Sequence, residues 1–171
     1  IESIANPGGI VTDIAAGAHV AKRAGVPLIV DNTLATPYLC RPIEHGADIV
    51  VHSLTKFLAG HGNSLGGIIV DAGNFDWSRE NRYPMLCEPR PEYNGLVFHQ
   101  NFGNFAFAVA CRALGLRDLG PCISPFNAFQ ILTGIETLPL RMQRHADNAK
   151  AVAEFLSDHP KVAWVSYAGL P

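Results

Sequence analysis

Two short apolar runs, Pro27–Asp31 ("PLIVD") and Asp48–His52 ("DIVVH"), are joined by only sixteen residues, 32–47. Runs that are apolar at successive positions read as strands covered on both faces. A connection of this length suffices for a parallel crossover, which is right-handed. A third run, Leu65–Val70 ("LGGIIV"), follows a glycine-rich link of nine residues, 56–64. That is short for a helical crossover, so this strand is expected to run antiparallel to its predecessor. The pattern predicts a mostly parallel sheet with one antiparallel strand.

Around these strands the signals are helical. Thr12 is placed to cap a helix over about 13–24, with Gly25 beyond its end. From Asn74 to Asn101 three prolines, Pro84, Pro89 and Pro91, break any long period, and loop with short helical turns is expected. Helices are predicted over about 104–116, 125–133 and 138–158. The second opens on Ser124-Pro125, a cap followed by proline at the first helical position, and should stop at Gly134. Thr137 should cap the long helix, whose Met142, Ala149, Val152, Phe155 and Leu156 share a face opposite Arg141, Arg144, Asp147 and Lys150. A last strand is expected in "KVAWVSY", 161–167. The order places the chain in the α/β class.

Composition narrows the function. The 171 residues suffice for one compact domain, and 48% hydrophobic against 16% charged residues describes a core-forming chain. A net charge of −2 without a basic stripe argues against nucleic acid, and no apolar run approaches the ~18 residues of a membrane span. Cys40, Cys87, Cys111 and Cys122 show no CxxC pair and read as reduced thiols of a cytoplasmic protein. His45, His52 and His61 lack an HExxH spacing, so no metal is expected. His19, His145 and His159 lie on predicted helices or their ends and read as surface or packing groups. His52 and His61 stand beside the lysine loop, where they can hydrogen-bond locally.

That loop reads "VVHSLTKFLAGHG". In a parallel α/β sheet ligands collect outside the carboxyl ends of strands. Asp31 ends one strand, while Ser53, Thr55 and Lys56 follow the other, so an acid, two hydroxyls and an amine converge on one crevice. Three readings compete. Lys56 can be a solvated loop residue, with Ser53 and Thr55 as turn formers and Asp31 as a helix cap. A nucleotide phosphate loop is a second reading, but Gly60-His61-Gly62 lacks the G-x-G-x-x-G continuation and no GK[ST] occurs. The third is a pyridoxal phosphate (PLP) site, in which a lysine amine takes the cofactor aldehyde, an acid faces the pyridine nitrogen, and hydroxyls hold the phosphate.

The segment "VDNTLATPYLCRPIEHGADIVVHSLTKFLAGHG" resembles the core of the Cys/Met-metabolism PLP-dependent enzymes, and the resemblance runs from Glu2 to Pro171. Its specific elements are Asp-Asn-Thr, Ser-x-Thr-Lys and Gly-His, in that order. It implies the central part of the PLP-binding large domain of the aspartate-aminotransferase-like (fold type I) architecture. Residues 1–136 would be part of that domain, 137–159 a long interdomain helix, and 160–171 the start of a smaller carboxy-terminal domain. Cystathionine synthases and lyases continue after the lysine with Gly-His-Ser-Asp. This chain has Gly60-His61-Gly62-Asn63-Ser64-Leu65-Gly66-Gly67, which is similar to the O-acetylhomoserine (O-acetylserine) sulfhydrylase branch.

Carried over by position, the resemblance makes Lys56 the catalytic and cofactor-bearing lysine. Asp31 becomes the acid beside the pyridine nitrogen, and Ser53 and Thr55 phosphate-end residues. Asn6 matches an asparagine near the phenolic oxygen and the substrate carboxylate, and Thr33 a residue against the ring. The implied reaction replaces the acetate of O-acetylhomoserine by sulfide or a thiol, giving homocysteine or methionine-like products in methionine biosynthesis. Cystathionine γ-synthase and methionine or cystathionine γ-lyase are the alternatives within the family; a catalytically incomplete fragment is the rival outside it. The resemblance further implies a cytoplasmic homo-oligomer, a dimer of dimers. Family members are more than twice this long, so the chain is expected to be an internal fragment. The family's Tyr-x-Arg pair, its glycine-rich phosphate turn and the arginine that grips the substrate carboxylate have no counterpart here.

Overall fold

A computed structural model describes residues 1–170. Its centre is a three-stranded sheet of β1 (Ile29–Asp31), β2 (Ile49–Ser53) and β3 (Gly67–Asp71), in that spatial order. β1 and β2 pair in parallel with Asp31 opposite Val51. β2 and β3 pair antiparallel with Ser53 opposite Gly67. One parallel and one antiparallel pairing make the sheet mixed. The amino-terminal segment adds a parallel bridge between Glu2 and Asp31.

The alternation of β2 separates two cores. Val50 joins Val30, Leu28, Ala47, Ile14 and Ala21 beneath helix α1 (Ile14–Ala24). Ile49 joins Trp77, Leu86, Phe98, Ala106 and Ala110 on the other side. Phe98 is 1% exposed, and burial of such a ring contributes about 1.5–3 kcal/mol. Coverage of the sheet is less complete than the apolar runs predict. Ile29 of β1 and Ile68, Ile69 and Val70 of β3 are only partly covered and count as exposed.

α1 ends at Gly25 as expected, with a left-handed backbone whose N–H reaches Ala21 O and Lys22 O. Its cap is Asp13 rather than Thr12. The Asp13 carboxylate accepts from Ala16 N at 2.9 Å, whereas Thr12 N donates to Ser3 O and so belongs to the extended segment before the helix. The link from β1 to β2 holds a single helical turn, α2 (Thr36–Leu39), then a 3₁₀ turn at Pro42–His45. The loosely patterned region carries α3 (Pro84–Cys87) and α4 (Phe98–Phe102) as short turns. The helix predicted over 104–116 is present but irregular, entered through a 3₁₀ turn at Gly103–Phe105. α5 (Ala106–Ala110) widens into a π-helical stretch, Cys111–Leu119.

α6 (Pro125–Ile135) starts on the predicted Ser124 cap, whose hydroxyl accepts from Asn127 N at 3.1 Å. Gly134 does not stop it but lies within its last turn. α7 (Leu138–Ser157) is the predicted long helix. The Thr137 side chain does not cap it, donating instead to Gly134 O. Nor is the predicted apolar face buried as a unit. Leu138, Met142 and Ala153 are covered, while Ala149, Val152 and Phe155 are exposed. Residues 161–167 form no strand, since none of the described residues pairs with them. Pro171, the last residue of the segment expected to open a second domain, lies outside the described residues.

Candidate functional site

The carboxyl ends of β1 and β2 open into a cavity of about 700 Å3, and its lining includes Asn6, Asp31, Thr33, Ser53, Thr55 and Lys56. All six residues singled out from sequence therefore share one space. Asp31 is fixed through its backbone, which donates to Ile1 O at 2.8 Å and accepts from Ser3 N at 2.9 Å. Its carboxylate accepts from Thr33 N at 2.9 Å, the local turn that an aspartate at a strand end readily forms. Thr33 in turn accepts from Ser53 N at 2.8 Å, tying the two strand ends together. Asn32, between them, is fully buried and its Nδ2 donates to Cys40 O at 2.8 Å, closing the loop over 32–40.

Thr55 is anchored to the start of β3. Its hydroxyl lies 3.2 Å from Gly66 N, which donates to it, and 3.4 Å from Gly66 O. Lys56 begins a tight turn in which Ala59 N donates to Leu54 O and Gly60 N to Lys56 O. Its side chain is exposed toward the cavity, and no ion pair among the described residues involves it.

Glu2, Phe57, Arg141 and His145 also line the cavity and were not anticipated. Glu2 accepts from Asn6 N at 2.8 Å and so orders the segment bearing Asn6. His145 sits against the Phe57 ring at 5.4 Å between centroids. It is exposed and packs on that ring, as its reading as a surface or packing residue has it, and it does so on the wall of the cavity. Its spacing of four from Arg141 on one helix was the available signal.

His52 and His61 do not line this cavity. His61 Nδ1 lies 2.7 Å from Ala59 O. His52 shares with Asn32, Cys40 and Val50 a smaller cavity of about 300 Å3. Burial pushes the His52 imidazole below its ordinary value of 6.5, opposed by the Asp31 charge and a hydrogen bond with the Asn32 backbone. The unfolded chain then takes up this proton first, so stability is full above about pH 6.5 and falls as pH drops through that value. Denaturant midpoints measured against pH should show this slope, and His52→Gln should flatten it. An unchanged slope in the variant would assign it to other groups.

All four thiols are free. Burial raises those of Cys40, Cys87 and Cys111, which keeps them protonated and argues against a nucleophile. Among the described residues no cluster of His, Cys, Asp and Glu could hold a metal ion.

The donor set fits pyridoxal phosphate: an accessible amine, a carboxylate held at a strand end, and three hydroxyls around a space of suitable size. Comparison with known proteins agrees. The family model for Cys/Met metabolism PLP-dependent enzymes matches residues 1–171. The chain is 57% identical to O-acetyl-L-homoserine sulfhydrylase of Leptospira meyeri over 99% of its own length and 40% of the relative's. Homocysteine synthase of Schizosaccharomyces pombe is 55% identical, again with 99% and 40% covered. A crystal structure from Campylobacter jejuni, carrying N'-pyridoxyl-lysine-5'-monophosphate, superposes with a TM-score of 0.89 at 37% identity, over 98% of this chain and 41% of that one. The chain thus spans about 40% of the length of the curated relatives it matches. With its lysine, acid and hydroxyls at one sheet edge and a family match along its whole length, it belongs to the Cys/Met metabolism PLP-dependent enzymes.

Proposed function

We propose that this chain supplies the lysine half of the active site of an O-acetylhomoserine sulfhydrylase. The observation that carries the reading is the convergence of Asp31, Ser53, Thr55 and Lys56 on one cavity, in a chain 57% identical to such an enzyme. Bound there, pyridoxal phosphate supplies an aldehyde and an electron-withdrawing ring. Lys56 would hold the cofactor by its aldehyde end, and its amine, when free, would move protons at the substrate's Cα and Cβ. Asp31 would hold the ring-nitrogen end and favour a proton on it. Ser53 and Thr55 would hold the phosphate end, Thr33 would stand beside the ring, and Asn6 would orient the substrate carboxylate. In the net reaction the Cγ–O bond breaks, acetate leaves with the bonding pair, and sulfide or a thiol forms the new Cγ–S bond.

The wider reading follows the same lines. The sheet, with α1 on one side and α3 to α5 on the other, is the centre of a fold type I large domain over 1–136. Residues 137–159 form the helix toward a second domain that begins at 160. Phe126, Phe129 and Leu132 on α6 and Leu140 and Phe155 on α7 are exposed, an apolar surface that a second copy or further chain would cover, and the homo-oligomeric dimer of dimers belongs to the same reading. Among the described residues no helix is long and apolar enough to cross a membrane, and a cytoplasmic location suits the free thiols.

Incubation of the holoenzyme with O-acetylhomoserine and sulfide should release acetate and homocysteine in equal amounts. Cystathionine from added cysteine, or thiol release from methionine at a higher rate, would assign the chain to another branch. Within this reading Asp31→Asn keeps the shape and the acceptor for Thr33 N but loses the charge. A charge-assisted hydrogen bond is worth roughly 1.5–3 kcal/mol, so turnover should fall about 10- to 100-fold with the fold retained. Unchanged turnover would remove Asp31 from the ring nitrogen.

A further inference from the structure

A turn as short as that over 54–60 leaves its last carbonyls without partners along the chain. Those of Phe57 and Leu58 are met from a distance. Arg141, on the first turn of α7, donates from Nη1 to Phe57 O at 2.8 Å and from Nη2 to Leu58 O at 3.3 Å. Nη2 also reaches Gly134 O at 2.8 Å, and Nε reaches Thr137 Oγ1 at 3.1 Å. A guanidinium has five N–H donors, so four are engaged by the protein itself. No ion pair among the described residues includes Arg141. Its charge faces the carbonyl end of α6 at Gly134 and the carbonyls of the lysine turn.

The approach is also close sterically. Gly60 has a positive φ of 76° and lies against the guanidinium, where a Cβ would stand 2.5 Å from Nη1 and 2.6 Å from Cζ. Resting on the reading of Lys56 as the cofactor lysine, we propose that Arg141 is a positioning residue for Lys56. By gripping the two carbonyls that follow, it fixes the turn from which the lysine stem rises into the cavity facing Asp31. With one free N–H it is not the group that grips a substrate carboxylate. A misplacement of about 1 Å at a reacting group costs on the order of 100-fold in rate, which is the scale at which such a clamp acts.

The test uses the holoenzyme with Arg141→Met, Arg141→Lys and Gly60→Ala. The last displaces the same guanidinium without removing its charge. Amide hydrogen exchange at Ala59 and Gly60 should quicken by roughly 10-fold or more in Arg141→Met. Its kcat should fall about 10- to 100-fold while KM stays within about 3-fold, the pattern of lost orientation rather than lost binding. Arg141→Lys should fall between the wild type and Arg141→Met. If Arg141→Met fails to fold, Arg141→Lys carries the same readings, since Gly60→Ala also strains the turn at its positive φ. Wild-type exchange at residues 59 and 60, or wild-type kcat per bound cofactor beside a lowered melting temperature, would reduce Arg141 to a structural tie and overturn the proposal. Borohydride trapping separates the two levels. A pyridoxyl label away from Lys56 in the wild type defeats the cofactor reading itself, whereas correct labelling with unaffected variants defeats only the role of Arg141.

Discussion

Lys56→Ala should lower turnover of the holoenzyme by roughly 10³-fold or more, because in the proposed function one side chain both holds the cofactor aldehyde and moves the substrate protons. The fold should hardly notice. Lys56 is exposed, and the turn around it is held by backbone groups, Ala59 N to Leu54 O and Gly60 N to Lys56 O. Truncation strands no buried polar atom, and such surface changes are usually within about 0.5 kcal/mol. Circular dichroism and melting should therefore match the wild type while borohydride reduction and peptide mapping find no pyridoxyl label. In the wild type the label should fall on Lys56. Residual turnover above a few per cent, or a wild-type label on Lys22, Lys150 or Lys161, would show that the amine lies elsewhere.

Gly134→Ala is expected to have the largest effect on stability. In an ordinary helix interior this change gains up to about 1 kcal/mol. Here the last turn of α6 lies directly on the lysine turn. A Cβ at Gly134 would overlap Ala59 O and stand 2.7 Å from Ala59 C. Neither partner can rotate away, since both are backbone. Overpacking of well-packed sites costs about 1–3 kcal/mol and occasionally more, and backbone against backbone belongs at the upper end. The measurable outcome is a clear drop in the denaturant midpoint, together with faster exchange at Ala59. A midpoint at or above the wild type, as helix propensity alone requires, would show that α6 and the lysine turn are not in contact.

The acid, the hydroxyls and the lysine were legible because each closes or follows a short apolar strand, and a parallel pairing brings strand ends to one edge. β1 and β2, with Asp31 opposite Val51, bear this out. Arg141 was misread for a physical reason. On a helical wheel it falls with Arg144, Asp147 and Lys150 on the polar face, and periodicity identifies a polar face without revealing what lies against it. Four acceptors, all of them carbonyls or a hydroxyl, make a polar surface that a charged residue can bury against. Gly134 looked like a helix stop because glycine commonly follows a last turn. Close backbone approach gives the same residue for a different cause. Val152 and Phe155 show the converse limit, for an apolar stripe predicts a contact but not that the partner lies within residues 1–170. The strand expected over 161–167 fails likewise, since a strand exists only as half of a pair.

The contacts that hold Lys56 also differ in how far they reach along the chain, and this bears on the order of folding. Thr33 Oγ1 to Ser53 N spans 20 residues, and Thr55 Oγ1 to Gly66 spans 11. Ser64 to Gln130 spans 66 and Arg141 to Phe57 O spans 84. Loop closure entropy must be met before distant contacts can contribute, so local ones form with less delay. Asp31, Ser53 and Thr55 are therefore expected to reach their places with the β1–β2–β3 unit, ahead of α6 and α7. On the proposed roles of Lys56 and Arg141, the lysine turn would be fixed only when those helices dock. During refolding the cofactor would then meet an acid and hydroxyls already set beside an amine still free to swing, and helix docking would lock that amine in register.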